Sequence, residues 1–363
     1  MLSSTLVANL VADCMSSKFR CEALGWNQHF LQQLSLQELE QCHPGRILQQ
    51  HKNQLQLATD HGLIDLPFLP TMPPMVVGDW LLLDKDGLFL RMLERFSLFS
   101  RKAAGTKVQS QLIGANVNTA FVVTSINEDF NLSRIERYLT LIQESGVEPV
   151  IVLTKVDLSA NADQCVEAIH SLDPMLMVEA VNALASDSVA KLTPWCGEGK
   201  TVLFLGSSGV GKSTLVNTLM GDAIQATSGI REDDSKGRHT TTGRSLHSLP
   251  SGGLLLDTPG MRELQLADVE GGLERTFADI TALAQSCRFA DCGHSSEPGC
   301  AIVAALESGE LEERRLENYR KIMREQAMNS ATLAEKRSRD KALGKFYRSV
   351  QSESRRRKSD SQF

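Results

Sequence analysis

The chain has 363 residues, 42% of them hydrophobic, and a formal net charge of -6. That is enough for two or three domains with real cores, and it excludes a wholly basic nucleic-acid binder. No stretch is apolar for long enough to cross a bilayer, and Met1 to Lys18 lacks the basic run, apolar block and cleavage site of a secretory signal.

Residues 1–25 carry no periodic pattern. From Pro44 to Ile113 short apolar runs alternate with turn chemistry. Arg46 to Leu48 and Leu55 to Thr59 read as brief strands. Val76 to Leu83 reads as a strand containing Gly78, Asp84 to Gly87 as a turn, and Leu88 to Leu93 as the return strand. Such spacing predicts a small β-barrel. After Gly114 the rhythm changes. Thr119 to Thr124 is a strand, Leu132, Ile135, Leu139 and Ile142 follow helical spacing, and Val150 to Leu153 is a buried-type strand. Strands alternating with helices predict a mostly parallel sheet covered on both faces, running to Leu254–Leu256. Beyond Gly271 the pattern is helical except for one Cys/His segment. The tail from Lys336 onward is basic and serine-rich, in contrast to the acidic body.

Gly206-Ser207-Ser208-Gly209-Val210-Gly211-Lys212-Ser213 fits G-x-x-x-x-G-K-[ST], with an apolar strand before it and a helix from Thr214 to Met220 after it. Glycines let successive N–H groups face phosphates, and the helix N-terminus adds partial positive charge. Lys212 is expected to reach the β- and γ-phosphates, and Ser213 to hold Mg²⁺. Asp257-Thr258-Pro259-Gly260 follows a strand. Asp257 there can position Mg²⁺ through water, and the Gly260 N–H can sense the γ-phosphate.

Thr154-Lys155-Val156-Asp157 ends the strand Val150 to Leu153. A carboxylate at Asp157 can accept two hydrogen bonds, from guanine N1–H and its exocyclic amine, which adenine does not offer. The stem of Lys155 can cover the base. Asn182 and Ala183 stand where a further base contact belongs. The base-reading motif precedes the phosphate loop, so a guanine-nucleotide sheet is built here from a circularly permuted chain. Asp257–Gly260 then leads directly into the C-terminal module.

Cys287, Cys292, His294 and Cys300 give C-x₄-C-x-H-x₅-C. Three thiolates and one imidazole suit tetrahedral Zn²⁺, and with all four positions filled by protein the role is structural. Cys14, Cys21, Cys42, Cys165 and Cys196 lack such company and read as free thiols.

The permuted order, together with Val77-Gly78-Asp79-Trp80, Ser100-Arg101-Lys102-Ala103, Gly237-Arg238-His239-Thr240-Thr241-Thr242 and the Cys/His segment, resembles the bacterial ribosome small subunit-dependent GTPase A family. The resemblance covers residues 44–325. It implies a multidomain fold: an N-terminal extension (1–43), an OB-like β-barrel (44–113), a circularly permuted α/β P-loop GTPase domain (114–270), a mainly helical zinc-binding domain (271–330) and a basic tail (331–363). It also implies GTP hydrolysis stimulated by the small ribosomal subunit during late maturation. The rival reading is an RNA-binding assembly factor with a weak nucleotide switch.

Where Ras-like enzymes carry a water-orienting glutamine, this chain has Met261. His239 is the candidate to orient water or shuttle a proton, and Thr241, beside Thr240 and Thr242, to contact Mg²⁺ and the γ-phosphate. Trp80 reads as barrel core. Arg101, Lys102 and the basic tail, including Arg355 to Lys358, are the candidates for rRNA phosphate, with a charged helix from Leu311 to Met323 nearby. We expect GTP and GDP, Mg²⁺ and one Zn²⁺ as ligands, the small subunit and its rRNA as partners, no membrane, a monomer and a cytoplasmic location.

Overall fold

The computed structural model describes residues 20–51, 53–102, 110–127, 129–159, 161–221, 244–257, 269–295 and 297–330. Two short helices come first, α1 (Gln28–Leu31) and α2 (Leu36–Gln41). Side chains fix their starts. Asn27 accepts from the His29 N–H, and Ser35 with Glu38 forms a reciprocal capping box. Phe30 is fully buried and packs with Trp26 and Trp80 over one end of the barrel.

The barrel contains β1 (His43–Gln50), β2 (Gln54–Thr59), β3 (Gly62–Pro67), β4 (Trp80–Leu83) and β5 (Phe89–Met92). β1 pairs with β2 and β4, β2 with β3, and β4 with β5, all antiparallel. Among the described residues β3 and β5 do not pair with each other, which leaves a five-stranded, partly open barrel of the OB type. Trp80 is fully buried and belongs to the core, as expected.

The strand expected from Val76 begins only at Trp80. Gly78 sits at φ +94°, and a Cβ there would lie 2.1 Å from the Ala115 carbonyl oxygen. Left-handed backbone and close approach both require glycine. Gly78→Ala is expected to cost about 2–4 kcal/mol, read as a lower denaturation midpoint. A midpoint equal to the parent's would mean that this loop yields freely. Beside it Asp79 is buried, accepts from the Val76 N–H at 2.8 Å, and takes a two-pronged bond from Arg95 at 2.6 and 2.7 Å.

Arg46 is 1% exposed, and its guanidinium donates to three backbone carbonyls, those of Leu24, Gly78 and Asn116. A buried cation must be hydrogen-bonded throughout. Here those bonds tie the N-terminal segment, the barrel and the entry to the next domain to one point. Burial pushes its pKa down to about 9, with Asp79 pulling the other way.

A separate hairpin, β6 (Leu98–Lys102) with β7 (Ser110–Ala115), leads to the second domain. That domain contains β8 (Thr119–Ser125), α3 (Leu132–Glu144), β9 (Glu148–Thr154), α4 (Ala162–His170), β10 (Met177–Ala180), α5 (Ser186–Val189), β11 (Thr201–Leu205), α6 (Lys212–Met220), β12 (Arg244–Ser248) and β13 (Leu254–Asp257). Strand order is β10-β9-β8-β11-β13-β12, parallel except for β12. Ala120, Val122, Ile151, Leu153, Leu203 and Leu205 face the α3 side, while Phe121, Val123, Val150, Val152, Val202 and Phe204 face the α6 side. Both faces are buried, so the strands read as continuous apolar runs. The far end of β1 pairs with β12, Gln49 with Ser245 and Gln50 with Arg244, joining barrel and domain into one sheet.

The C-terminal module contains α7 (Glu270–Thr276), α8 (Ala278–Gln285), α9 (Ala301–Ser308) and α10 (Glu313–Ser330). The charge expected on both sides of the Leu311 segment is in part turned inward. Glu136 of α3 is fully buried and receives Arg314 at 3.1 Å, Arg315 at 2.8 Å and Asn318 at 2.5 Å. Arg315 also grips Asp279 at 2.7 and 2.8 Å, and Arg137 pairs with Glu325 at 2.5 and 2.7 Å. A buried carboxylate needs such partners, which explains why these arginines face protein. No helix among the described residues is long and apolar enough to cross a membrane.

Candidate nucleotide and metal sites

The sheet carries its helices on opposite faces on either side of the β8–β11 boundary, α3 after β8 and α6 after β11. A crevice outside the carboxyl ends of such strands is where open α/β sheets bind ligands. The phosphate loop opens there. Gly206 has φ +147°, and a Cβ on it would lie 2.3 Å from the Val123 carbonyl oxygen. Gly209 and Gly211 are also left-handed, at φ +82° and +94°. Gly211 caps α6, whose first residue is Lys212, so the N-terminal end of that helix, with its partial positive charge, directly follows the loop. Ser208, Gly209 and Ser213 are exposed, and Val210 is buried as the anchor of the loop. The Lys212 ammonium donates to the carbonyls of Gly206 and Ser207, folded back over the cradle that it is expected to serve.

Thr154, Lys155 and Asp157 lie at the end of β9. Lys155 has φ +62°, which turns the chain into a 3₁₀ turn, Val156–Leu158, that presents Asp157 to solvent. The Thr154 hydroxyl donates to the Val210 carbonyl at 2.6 Å. This bond joins the Thr154–Asp157 segment to the phosphate loop, a tie the sequence did not reveal. A second tie runs from the Thr218 hydroxyl on α6 to the Ala183 carbonyl at 2.6 Å. The Asn182 side chain accepts the Leu184 N–H at 3.0 Å, so it shapes its own loop.

Asp257 ends β13 opposite Ser245 of β12. His247, which the sequence reading did not single out, shares a 2.7 Å hydrogen bond with Ser245. Burial lowers its pKa, and the Asp257 carboxylate pulls it back up. His239, Thr240, Thr241, Thr242, Gly260 and Met261 lie outside the described residues, as do the side chains of Arg101 and Lys102, Cys14 and the tail from residue 331.

Cys287, Cys292, His294 and Cys300 converge, with ligand atoms all within 4.8 Å of one another. The Cys287 and Cys300 sulfurs are 3.9 Å apart, and His294 Nδ1 lies 3.5 and 3.6 Å from them. A tetrahedral ion with ~2.3 Å sulfur bonds sets its sulfurs about 3.8 Å apart, so the four residues fit a metal. Cys287 follows α8, Cys300 caps α9, and Arg320 of α10 donates to the His294 carbonyl. The cluster therefore fastens three helices together. Cys21, Cys42, Cys165 and Cys196 are free thiols, and burial pushes Cys196 up to about 12, which makes it unreactive.

Residues 92–267 match the family model described as RsgA GTPase. A Small ribosomal subunit biogenesis GTPase RsgA 2 of Vibrio parahaemolyticus is 56% identical over 334 residues, covering 92% of this chain and 93% of that protein. The chain belongs to the RsgA GTPase family. A Mesorhizobium japonicum Small ribosomal subunit biogenesis GTPase RsgA is 45% identical, covering 85% and 90% of the two chains. Among solved structures, YjeQ from Thermotoga maritima superposes with a TM-score of 0.60 at 25% identity, over 78% of this chain and 98% of its own. YloQ, described as a circularly permuted GTPase, gives 0.57 at 25% identity, over 80% and 96%. As an RsgA-family protein the chain is a GTP hydrolase, and the permuted strand order observed here is the one expected.

Proposed function

We propose that this chain hydrolyses GTP on the maturing small ribosomal subunit, is stimulated by that subunit, and leaves it after hydrolysis. What supports the reading is a phosphate loop tied through Thr154 to the Thr-Lys-Val-Asp segment, in a chain 56% identical to a small-subunit biogenesis GTPase.

In this reading Asp157 reads guanine and Lys155 covers the base. The backbone of Gly206–Thr214 cradles the phosphates. Lys212 leaves the Gly206 and Ser207 carbonyls for the β- and γ-phosphates. Ser213 and Thr241 hold Mg²⁺, with Asp257 acting through water. The ion, when bound, neutralises charge on the β- and γ-oxygens. His239 orients the attacking water that Met261 cannot hold, and Gly260 senses the γ-phosphate. Zn²⁺ is the ion of choice for three thiolates and one imidazole, in a structural role. Arg101, Lys102 and the basic tail supply contacts to rRNA phosphate.

The test is GTP hydrolysis by the purified chain, alone and with small subunits, beside Lys212→Ala and His239→Ala. A slow basal rate raised many-fold by subunits, and lost in Lys212→Ala, is the expected result. A smaller stimulated rate in His239→Ala, with subunit binding intact, is expected from the water-orienting role. Tight subunit binding without stimulation would instead favour a passive RNA-binding factor.

A further inference from the structure

Strands β8, β9, β10 and β11 are parallel, so the turns that follow them share one edge of the sheet. The phosphate loop follows β11, and the segment 154–157 ends β9. The turn after β10, residues 181–185, joins them there and lies directly beside the β9 turn. Ala180 pairs with Leu153, and the Val181 N–H donates to the Leu153 carbonyl at 2.8 Å.

This turn has a shape of its own. The Asn182 N–H donates to the Ser188 hydroxyl at 2.9 Å, and the Asn182 side chain accepts the Leu184 N–H at 3.0 Å. Val181 and Ala183 are buried in the core that they share with Val210, Leu215 and Val216, while Leu184 is exposed at the tip. Its anchor to the phosphate side is Thr218, a residue of α6, the helix that Lys212 opens. The Thr218 hydroxyl reaches the Ala183 carbonyl at 2.6 Å and the Thr214 carbonyl, one helical turn back, at 3.1 Å. With one proton to give, it serves the nearer acceptor. Loss of that proton would leave the Ala183 carbonyl without its donor in a buried place, and the turn would move to satisfy it.

We propose that Thr218 is a positioning residue for the base end of the nucleotide site: through the Ala183 carbonyl it holds the turn 182–184 on the helix that follows the phosphate loop. Together with the Thr154 hydroxyl on the Val210 carbonyl, it makes the base-side turns and the phosphate loop one preorganised unit. Preorganisation lowers the ordering cost that a nucleotide meets on binding, so the tie is felt as slow release. The proposal rests on the reading of this edge as a guanine-nucleotide site.

The experiment uses the full chain and a fluorescent GDP analogue chased with unlabelled GDP, together with kcat and KM for GTP and the thermal midpoint. Thr218→Val keeps the β-branched shape and removes the hydroxyl. GDP release is expected to be about fivefold faster, the scale of one hydrogen bond. KM for GTP is expected to rise by the same factor at unchanged kcat, because the base is held alike in the ground state and the transition state. A general loosening of α6 would lower kcat as well, since that helix carries Lys212 and Ser213. Thr218→Ser keeps the hydroxyl and is expected to retain the parent values. If Thr218→Val lowers the midpoint, Thr218→Ala, which favours the helix, takes its place. GDP release at the parent rate in the variant without the hydroxyl overturns the proposal. So does a serine variant that releases GDP as fast as that variant, or a fall in kcat at unchanged KM. A parent chain that binds no GDP overturns the guanine-nucleotide reading first and the proposal with it.

Discussion

Asp157→Asn is expected to weaken GDP and GTP binding about 10³-fold and to create affinity for the xanthine nucleotides. Guanine presents two donors to this position, N1–H and the amine on C2. A carboxylate accepts both, with the strength of charge-assisted bonds. Asparagine keeps one acceptor for N1–H but turns an NH₂ toward the guanine amine, donor against donor. Xanthine carries a carbonyl at C2, which that NH₂ can serve. The substitution should be silent in stability, because Asp157 is exposed on its turn and Thr154, not Asp157, makes the tie to Val210. Titration with fluorescent GDP and with XDP reads the result, with the thermal midpoint as control. A variant that keeps its GDP affinity and ignores XDP would show that Asp157 does not read the base.

The chemistry of this protein was legible where residue type and spacing are both dictated by a ligand. The phosphate loop, Asp157, Asp257 and the Cys/His cluster belong to that class; the structure draws the four Cys/His ligand residues together and ties Thr154 to the phosphate loop through Val210. The strands β8, β9, β11 and β13 were legible for a different reason. Burial on both faces makes them continuous apolar runs with turn residues between. What stayed hidden depends on partners distant in sequence. The strand at Val76 is cut short by the Ala115 carbonyl, which no local pattern announces. The pairing of β1 with β12 joins segments nearly two hundred residues apart, and no turn signal marks it. Arg314 and Arg315 read as surface charge because the carboxylate that buries them, Glu136, lies in another domain.

Removal of the metal is expected to have the largest effect on structure. The segment from Cys287 to Cys300 contains no helix or strand among its described residues, and such a loop cannot bury a core of its own. A bound ion would replace that core. In small zinc modules the binding energy, about 10–16 kcal/mol, is folding energy outright. Here the module has a second support, since Phe277, Ile280, Ile302, Leu316 and Ile322 share a hydrophobic core with Ile135, Leu139 and Ile142 of α3. Chelation or Cys300→Ser should therefore melt the link between α8 and α9 and free Arg320 from the His294 carbonyl, while the contacts of α10 with α3 weaken without vanishing. The expected readouts are one zinc per chain by elemental analysis of the parent, substoichiometric zinc in Cys300→Ser, a partial loss of helical signal, and a new transition at lower temperature. Fluorescent GDP should still bind, because the phosphate loop rests on the core on the α6 side of the sheet, through Val210, Leu215 and Val216. An unchanged melting profile after full chelation would mean that the shared core, not the ion, holds the module. The four ligand residues would then be an accessory clasp on a fold that stands without them.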